Sequence, residues 1–259
     1  VSVKFSGWDP VREDAGLRQF CEARVDGLIW VPTGIQEGIQ ASAVLEKLRA
    51  ASIPIVTMGS ESLRRMGIAH CVGMQSVDAL HCGASYLMNL GHRRIGFATA
   101  ASKSGMRGKM HRTRLEKARI VLAESGGVLR DEDIFDTTDN EYGGVAIAAS
   151  LVQRERSDWP TAIFAGDDML ARGLVAGLTA LSVRVPQEIS ILGYDDAPGD
   201  AEGPIPVTSV SIEAKEMGQR AIELLLDLIE ERIAPQPLQS IMLKPRVVER
   251  ASCAPPERV

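Results

Sequence analysis

Short β-branched and aliphatic runs alternate along the chain with longer stretches whose apolar positions recur every three or four residues. Gly27-Leu28-Ile29-Trp30-Val31 predicts a buried strand. Ser42 to Ala50 reads as the continuation of a helix, with Val44, Leu45 and Leu48 on one face. Ile53-Pro54-Ile55-Val56 begins the next strand, with proline at its start, where no ladder donor is needed. Val77 to Leu90 sets Leu80, Ala84, Leu87 and Met88 on one side of a helix that Gly91 stops. Arg94 to Ala98 follows as a strand.

The rhythm repeats in the second half. Arg114 to Glu124 predicts a helix stopped by Gly126-Gly127, and Ile134-Phe135 a short strand. Helices over Gly144–Gln153 and Met169–Leu181 enclose a strand at Thr161–Phe164, and a strand at Ile189–Leu192 follows. A long helix runs from Glu213 to about Glu231, and Gln239 to Glu249 reads as two extended pieces. Such alternation predicts an α/β fold of doubly wound parallel sheets with helices on both faces. Right-handed crossovers fix the winding. Ligands in these sheets sit beyond the carboxyl ends of the strands, which picks out the loops after Val56, Phe97, Phe164 and Leu192.

Composition narrows the function. A chain of 259 residues can form two compact lobes. No apolar run reaches the length of a membrane span, and none opens the chain as a signal peptide would. The net charge of −5 makes this stretch, taken alone, a poor binder of phosphate backbones. Cys21, Cys71, Cys82 and Cys253 form no Cys-x-x-Cys pair and read as reduced thiols of a cytosolic protein.

Two acidic pairs lie just past strands, Asp167-Asp168 and Asp195-Asp196. Carboxylates there can accept hydrogen bonds from ligand hydroxyls or cap a following helix. Asp167 and Asp195, nearer the strand ends, are the expected ligand contacts; Asp168 and Asp196 are the expected capping or loop residues. An acid/base pair for glycoside cleavage is another use of paired carboxylates, but nothing else in the sequence supports it. Arg114 sits in a basic cluster with Arg107, Lys109, His111 and Arg112. The cluster is either a solvated loop or the source of one arginine that donates paired hydrogen bonds into a cleft. His70-Cys71 recurs as His81-Cys82, but one pair falls on or beside a strand and the other in a helix, so no metal site is expected. There is no Gly-x-Ser-x-Gly elbow, no Walker phosphate loop and no visible cofactor fingerprint, so neither an enzyme nor a cofactor is expected.

From Gly7 to Glu249 the chain resembles the ligand-binding core of the lactose/purine-repressor (LacI) family. Val25-Asp26-Gly27-Leu28-Ile29, Ile53-Pro54-Ile55-Val56 and Leu90 to Phe97 match family segments in order. So do Thr161 to Met169, Val185 to Asp196, Thr208-Ser209-Val210 and Met217-Gly218. The resemblance implies a periplasmic-binding-protein-like fold of two lobes joined by a three-stranded hinge. Register puts the first lobe at 1–73 and 213–242 and the second at 74–212 and 243–259, with crossings near Gly73, Ile212 and Leu243. It implies a small sugar-like effector held between the lobes, a homodimer, and operator DNA bound through an N-terminal helix-turn-helix.

By the same register Arg114 matches the sugar-contacting arginine and Asp195 the aspartate of the Gly-Tyr-Asp-Asp strand end. Asp167 falls where many relatives have asparagine. Gly59, Met74, Gln75 and Ile212 fall at effector positions but depart from the usual residues, which favours a less polar pocket or another metabolite, such as a sugar acid. Lys117-Ala118 departs likewise. Val1 falls at the second strand of the first lobe. The chain therefore reads as a fragment whose first strand, first helix and DNA-binding head lie upstream. An exported sugar-binding protein of a transporter shares the fold and is the alternative.

Overall fold

Asp9-Pro10 starts the first helix, α1 (Pro10–Glu22): the Asp9 carboxylate accepts from the N–H of Val11 (2.8 Å) and Arg12 (3.4 Å), and proline sits where its missing N–H costs nothing. The apolar pattern does not announce this helix, because only Gly16 and Leu17 of it are buried. The computed structural model describes residues 1–32, 48, 50–59, 62–65, 67 and 69–257. Most of the helix expected over Ser42–Ala50, with Val44 and Leu45, lies outside the described residues; Leu48 is helical and fully buried.

In chain order, besides the single turn Ser62–Arg65, the further described α-helices are α2 (Ser76–Leu90), α3 (Gly105–Glu124), α4 (Glu141–Leu151), α5 (Asp168–Ala180) and α6 (Ala214–Ile229). The described strands are β1 (Leu28–Trp30), β2 (Ile55–Gly59), β3 (His70–Gly73), β4 (Ile95–Thr99) and β5 (Ile134–Asp136). They continue with β6 (Ala162–Ala165), β7 (Ser190–Asp195), β8 (Thr208–Ser211), β9 (Ser240–Met242) and β10 (Arg246–Val248). No described helix is long and apolar enough to cross a membrane.

The chain divides into two compact units, Val1–Gln75 with Ala214–Leu243, and Ser76–Glu213 with Lys244–Val259. Met74, Gln75 and Leu243, expected in the second lobe, belong to the first unit. Glu213, expected in the first, belongs to the second. Local bonds explain both corrections. The N–H of Leu243 donates to the carbonyl of Gly73 (2.8 Å), prolonging the β3–β9 pairing. The carboxylate of Glu213 meets Arg246 of β10 at 2.6 Å.

The first unit is a parallel sheet in the order β1-β2-β3-β9. Leu17, Leu28, Trp30, Leu48, Ile55 and Ala69 form its core, and the Trp30 indole donates to Glu13 at 2.6 Å. Helix α6 turns Met217, Ala221, Leu224 and Leu228 inward, the three-to-four spacing of one helix face. Val1 to Ser6 forms no strand, and Val1, Val3 and Phe5 are exposed. The strand expected at Val1 is therefore absent, since among the described residues no neighbouring strand completes a ladder with it.

The second unit is a six-stranded sheet in the order β5-β4-β6-β7-β8-β10, parallel except for β10. Ile163, Ala165 and Ile191 join the apolar core with Leu170 and Leu174 of α5 and Ile147 and Leu151 of α4. The alternate residue, Phe164, faces the other way, where it crowds Gly83 of α2. Helices therefore cover both faces. Helices α4 and α5 approach so closely that a Cβ on Gly144 or Gly173 would strike the backbone of the other helix. Helix α3 begins at Gly105, nine residues before Arg114, which was expected to open it. Its first half, with Arg107, Lys109 and Arg112, offers no apolar face to read.

Candidate functional site

From β4 the chain runs outward to β5 and then returns to β6 on the other side of β4. That reversal opens a crevice at the carboxyl ends of β4 and β6, the preferred ligand position in such sheets. Gly166 follows β6 directly. Its N–H donates to the carbonyl of Ala98 at 2.8 Å, and a Cβ here would stand 2.9 Å from that oxygen, so only glycine fits. The carbonyl of Gly166 accepts a hydrogen bond from the Arg114 guanidinium. The same guanidinium lies over the ring of Tyr194, with its carbon 3.9 Å from the ring centroid. Tyr194 ends a buried aromatic row: its ring is 6.4 Å from Phe164, which meets Phe97 edge-on at 5.9 Å.

Asp195 follows Tyr194 at the end of β7. Its φ of 116° is a conformation that side chains disfavour. Burial pushes its carboxyl up to about 6; Arg114 opposes the rise, and Asp167 adds to it. Arg114 and Asp167 thus both act on Asp195 at one end of the sheet.

Asp167 caps α5. Its backbone is extended, and one carboxylate oxygen accepts from the N–H of Leu170 at 2.9 Å. Its other oxygen is buried, makes no hydrogen bond, and lies 3.7 Å from Nε2 of His111. Capping was expected of Asp168. The helix starts one residue earlier than expected, so the cap moves to Asp167. Asp168 is instead buried, accepting from the Ser209 hydroxyl (2.6 Å) and the Ala197 N–H (2.8 Å). Burial and a hydrogen bond with Asp200 raise its carboxyl to about 8. Asp196 is a loop residue, held by Arg250 at 2.6 Å.

Gly59 ends β2 with a φ of 94° and pairs in register with Gly73; Met74 and Gln75 follow β3. These three share the carboxyl ends of adjacent strands in the first unit. Ile212 follows β8 in the second unit. The basic cluster is anchored within the protein: Lys103 and Arg107 meet Asp139, and Arg112 donates to the carbonyls of Ala101 (2.7 Å) and Lys103 (3.1 Å). Tyr194, Gly166 and His111 were not read as site residues. For His111 a signal existed, since it lies three residues before Arg114 and so on the same helix face. Among the described residues no group of three histidine, cysteine or acidic side chains can hold a metal.

The pattern of the periplasmic binding protein-like domain family matches residues 84–253. The chain is 30% identical over 246 residues to the HTH-type transcriptional repressor PurR of Edwardsiella ictaluri, covering 94% of this chain and 67% of that protein. It belongs to the LacI family. Among solved structures it resembles a LacI family transcriptional regulator from Lactobacillus casei with bound glucose, with a TM-score of 0.75 and 23% identity over 97% of this chain and 87% of that one. A LacI family regulator from Enterococcus faecium with bound ribose gives a TM-score of 0.71 and 24% identity over 93% of this chain and 83% of that one. The periplasmic-binding-protein-like fold expected from the sequence holds. The chain is the effector-binding core of a LacI-type regulator, and the exported carrier is not favoured.

Proposed function

We propose that this core senses a small sugar or sugar acid at the carboxyl end of its six-stranded sheet and passes that state to operator DNA. One observation carries the reading: Arg114, fixed by Tyr194 and Gly166, stands with Asp167 and Asp195 at the carboxyl ends of β6 and β7, beside the topological switch point. A guanidinium beside two carboxylates can donate to and accept from a polyhydroxylated solute, and the guanidinium can pair with an acid group. The set offers hydrogen-bond donors and acceptors, and kinship with transcriptional repressors supports a binding role. Gly59, Met74, Gln75 and Ile212 belong to this reading through family register alone.

The regulator acts in the cytoplasm as a homodimer, reaching DNA through an N-terminal helix-turn-helix. The effector alters DNA affinity by binding two states of the protein unequally. Family kinship with repressors supports these assignments. The test is a thermal-shift screen of pentoses, hexoses, sugar acids and purines, because a ligand that binds the folded state raises the unfolding temperature. A shift with a sugar or sugar acid supports the reading; a shift with purines alone overturns it.

A further inference from the structure

Polar atoms sealed from water almost always have hydrogen-bond partners, because a bare one forfeits its hydration with nothing in return. At the switch point four such atoms lack one. The ring of His111 is fully buried, and neither Nδ1 nor Nε2 makes a hydrogen bond. The free oxygen of Asp167 is buried beside it. The 3.7 Å between Nε2 and that oxygen is too long for a direct hydrogen bond. Thr99, which ends β4 next to β6, is likewise buried with its hydroxyl unpartnered.

We infer that His111 is a further effector-contacting residue, and that it and Asp167 together read one hydroxyl group of the effector. The inference rests on the effector site proposed above. A hydroxyl can donate to a carboxylate and accept from an imidazole N–H at once, so one oxygen about 2.8 Å from each partner satisfies both. The free Asp167 oxygen is available because the other one caps α5. Burial lowers the imidazole pKa and so favours the neutral ring, against Asp167 and Asp139, which favour its charge, and with Arg114 and Arg107, which oppose it. A neutral ring keeps one N–H to donate. His111 and Arg114, three residues apart on α3, then grip neighbouring parts of the ligand.

The experiment follows the His111 imidazole nitrogens by NMR while D-ribose and D-glucose are added to the intact chain, alongside thermal shift and calorimetry on wild type, His111→Phe and His111→Gln. One of these sugars is expected to stabilise the wild type and move the His111 signals. His111→Phe then weakens binding by roughly ten-fold or more, while His111→Gln, which keeps a donor and an acceptor, stays within about three-fold. A sugar that binds without moving the His111 signals, and binds His111→Phe as tightly as wild type, overturns this inference and leaves the effector site standing. If neither sugar nor any member of the wider panel stabilises the protein, the effector site itself fails and this inference with it. Should His111→Phe not fold, the imidazole signals of the wild type decide alone.

Discussion

Arg114 lies over the face of Tyr194 while Tyr194 delivers the next residue, Asp195, to the end of β7. Stacking and the hydrogen bond to Gly166 hold the guanidinium where it lowers the pKa of Asp195 against the effect of burial. Arg114→Ala is expected to push the Asp195 carboxyl above its present value of about 6. Carboxyl-carbon NMR across a pH titration reads this directly. An unmoved Asp195 would mean that the two groups do not face each other.

Asp168 gives stability a pH dependence whose sign is fixed. Its carboxyl is raised from 3.8 to about 8, chiefly by burial, so the folded state keeps a proton that the unfolded chain releases above about 4. The contribution is complete below the unfolded value and is lost as pH rises through about 8. Asp168→Asn does not titrate, and its oxygen can still accept from Ala197. Urea unfolding of wild type should show a decline between pH 4 and 8 that is flattened in the variant. Parallel curves would count against a protonated Asp168.

Asp167 has a structural duty separable from the ligand contact proposed for it. Asp167→Ala removes the α5 cap and should lower stability by about 0.5–2 kcal/mol, whereas Asp167→Asn, an equally good cap, should leave it nearly unchanged. Chemical denaturation of both variants checks this. Equal losses would show that the carboxylate charge, and not capping, matters there.

Gly173 sets helix propensity against packing. Alanine is the better helix former by about 0.8–1 kcal/mol. Here, however, its Cβ would run into the backbone of Glu141 at the start of α4. Gly173→Ala should therefore destabilise the protein by about 1–3 kcal/mol or more. An equal or higher unfolding midpoint would mean that α4 and α5 do not approach this closely.

The chain pattern displayed the parallel α/β architecture because many of the buried strands are apolar runs, as at Ile95–Thr99 and Ala162–Ala165; β8, buried but with three hydroxyl side chains, is an exception. It hid the elements whose apolar faces are thin. Helix α1 buries only Gly16 and Leu17, and the first half of α3 is basic. In the site, Arg114 came from register with the family, whereas Asp195 was already marked by its place at a strand end; in the structure the Arg114 guanidinium acts on Asp195. The cap fell to Asp167 and not to Asp168 because both are aspartates and a shift of one residue in the helix start decides which one caps. His111 looked like one more member of a charged cluster; its burial depends on the approach of Gly166 across the sheet, which no local pattern encodes.

Titration calorimetry with whichever sugar or sugar acid most stabilises the wild type tests the central claim most directly. Arg114→Ala and Asp195→Asn are compared with wild type after each is shown to be folded. Binding should weaken by about 1.5–3 kcal/mol in Arg114→Ala, the worth of a hydrogen bond to a charged group, with a clear loss in Asp195→Asn as well. Arg114→Lys should not restore it, because an ammonium cannot reproduce the planar stack on Tyr194. Unchanged affinity in both Arg114→Ala and Asp195→Asn would contradict the account and place the effector elsewhere.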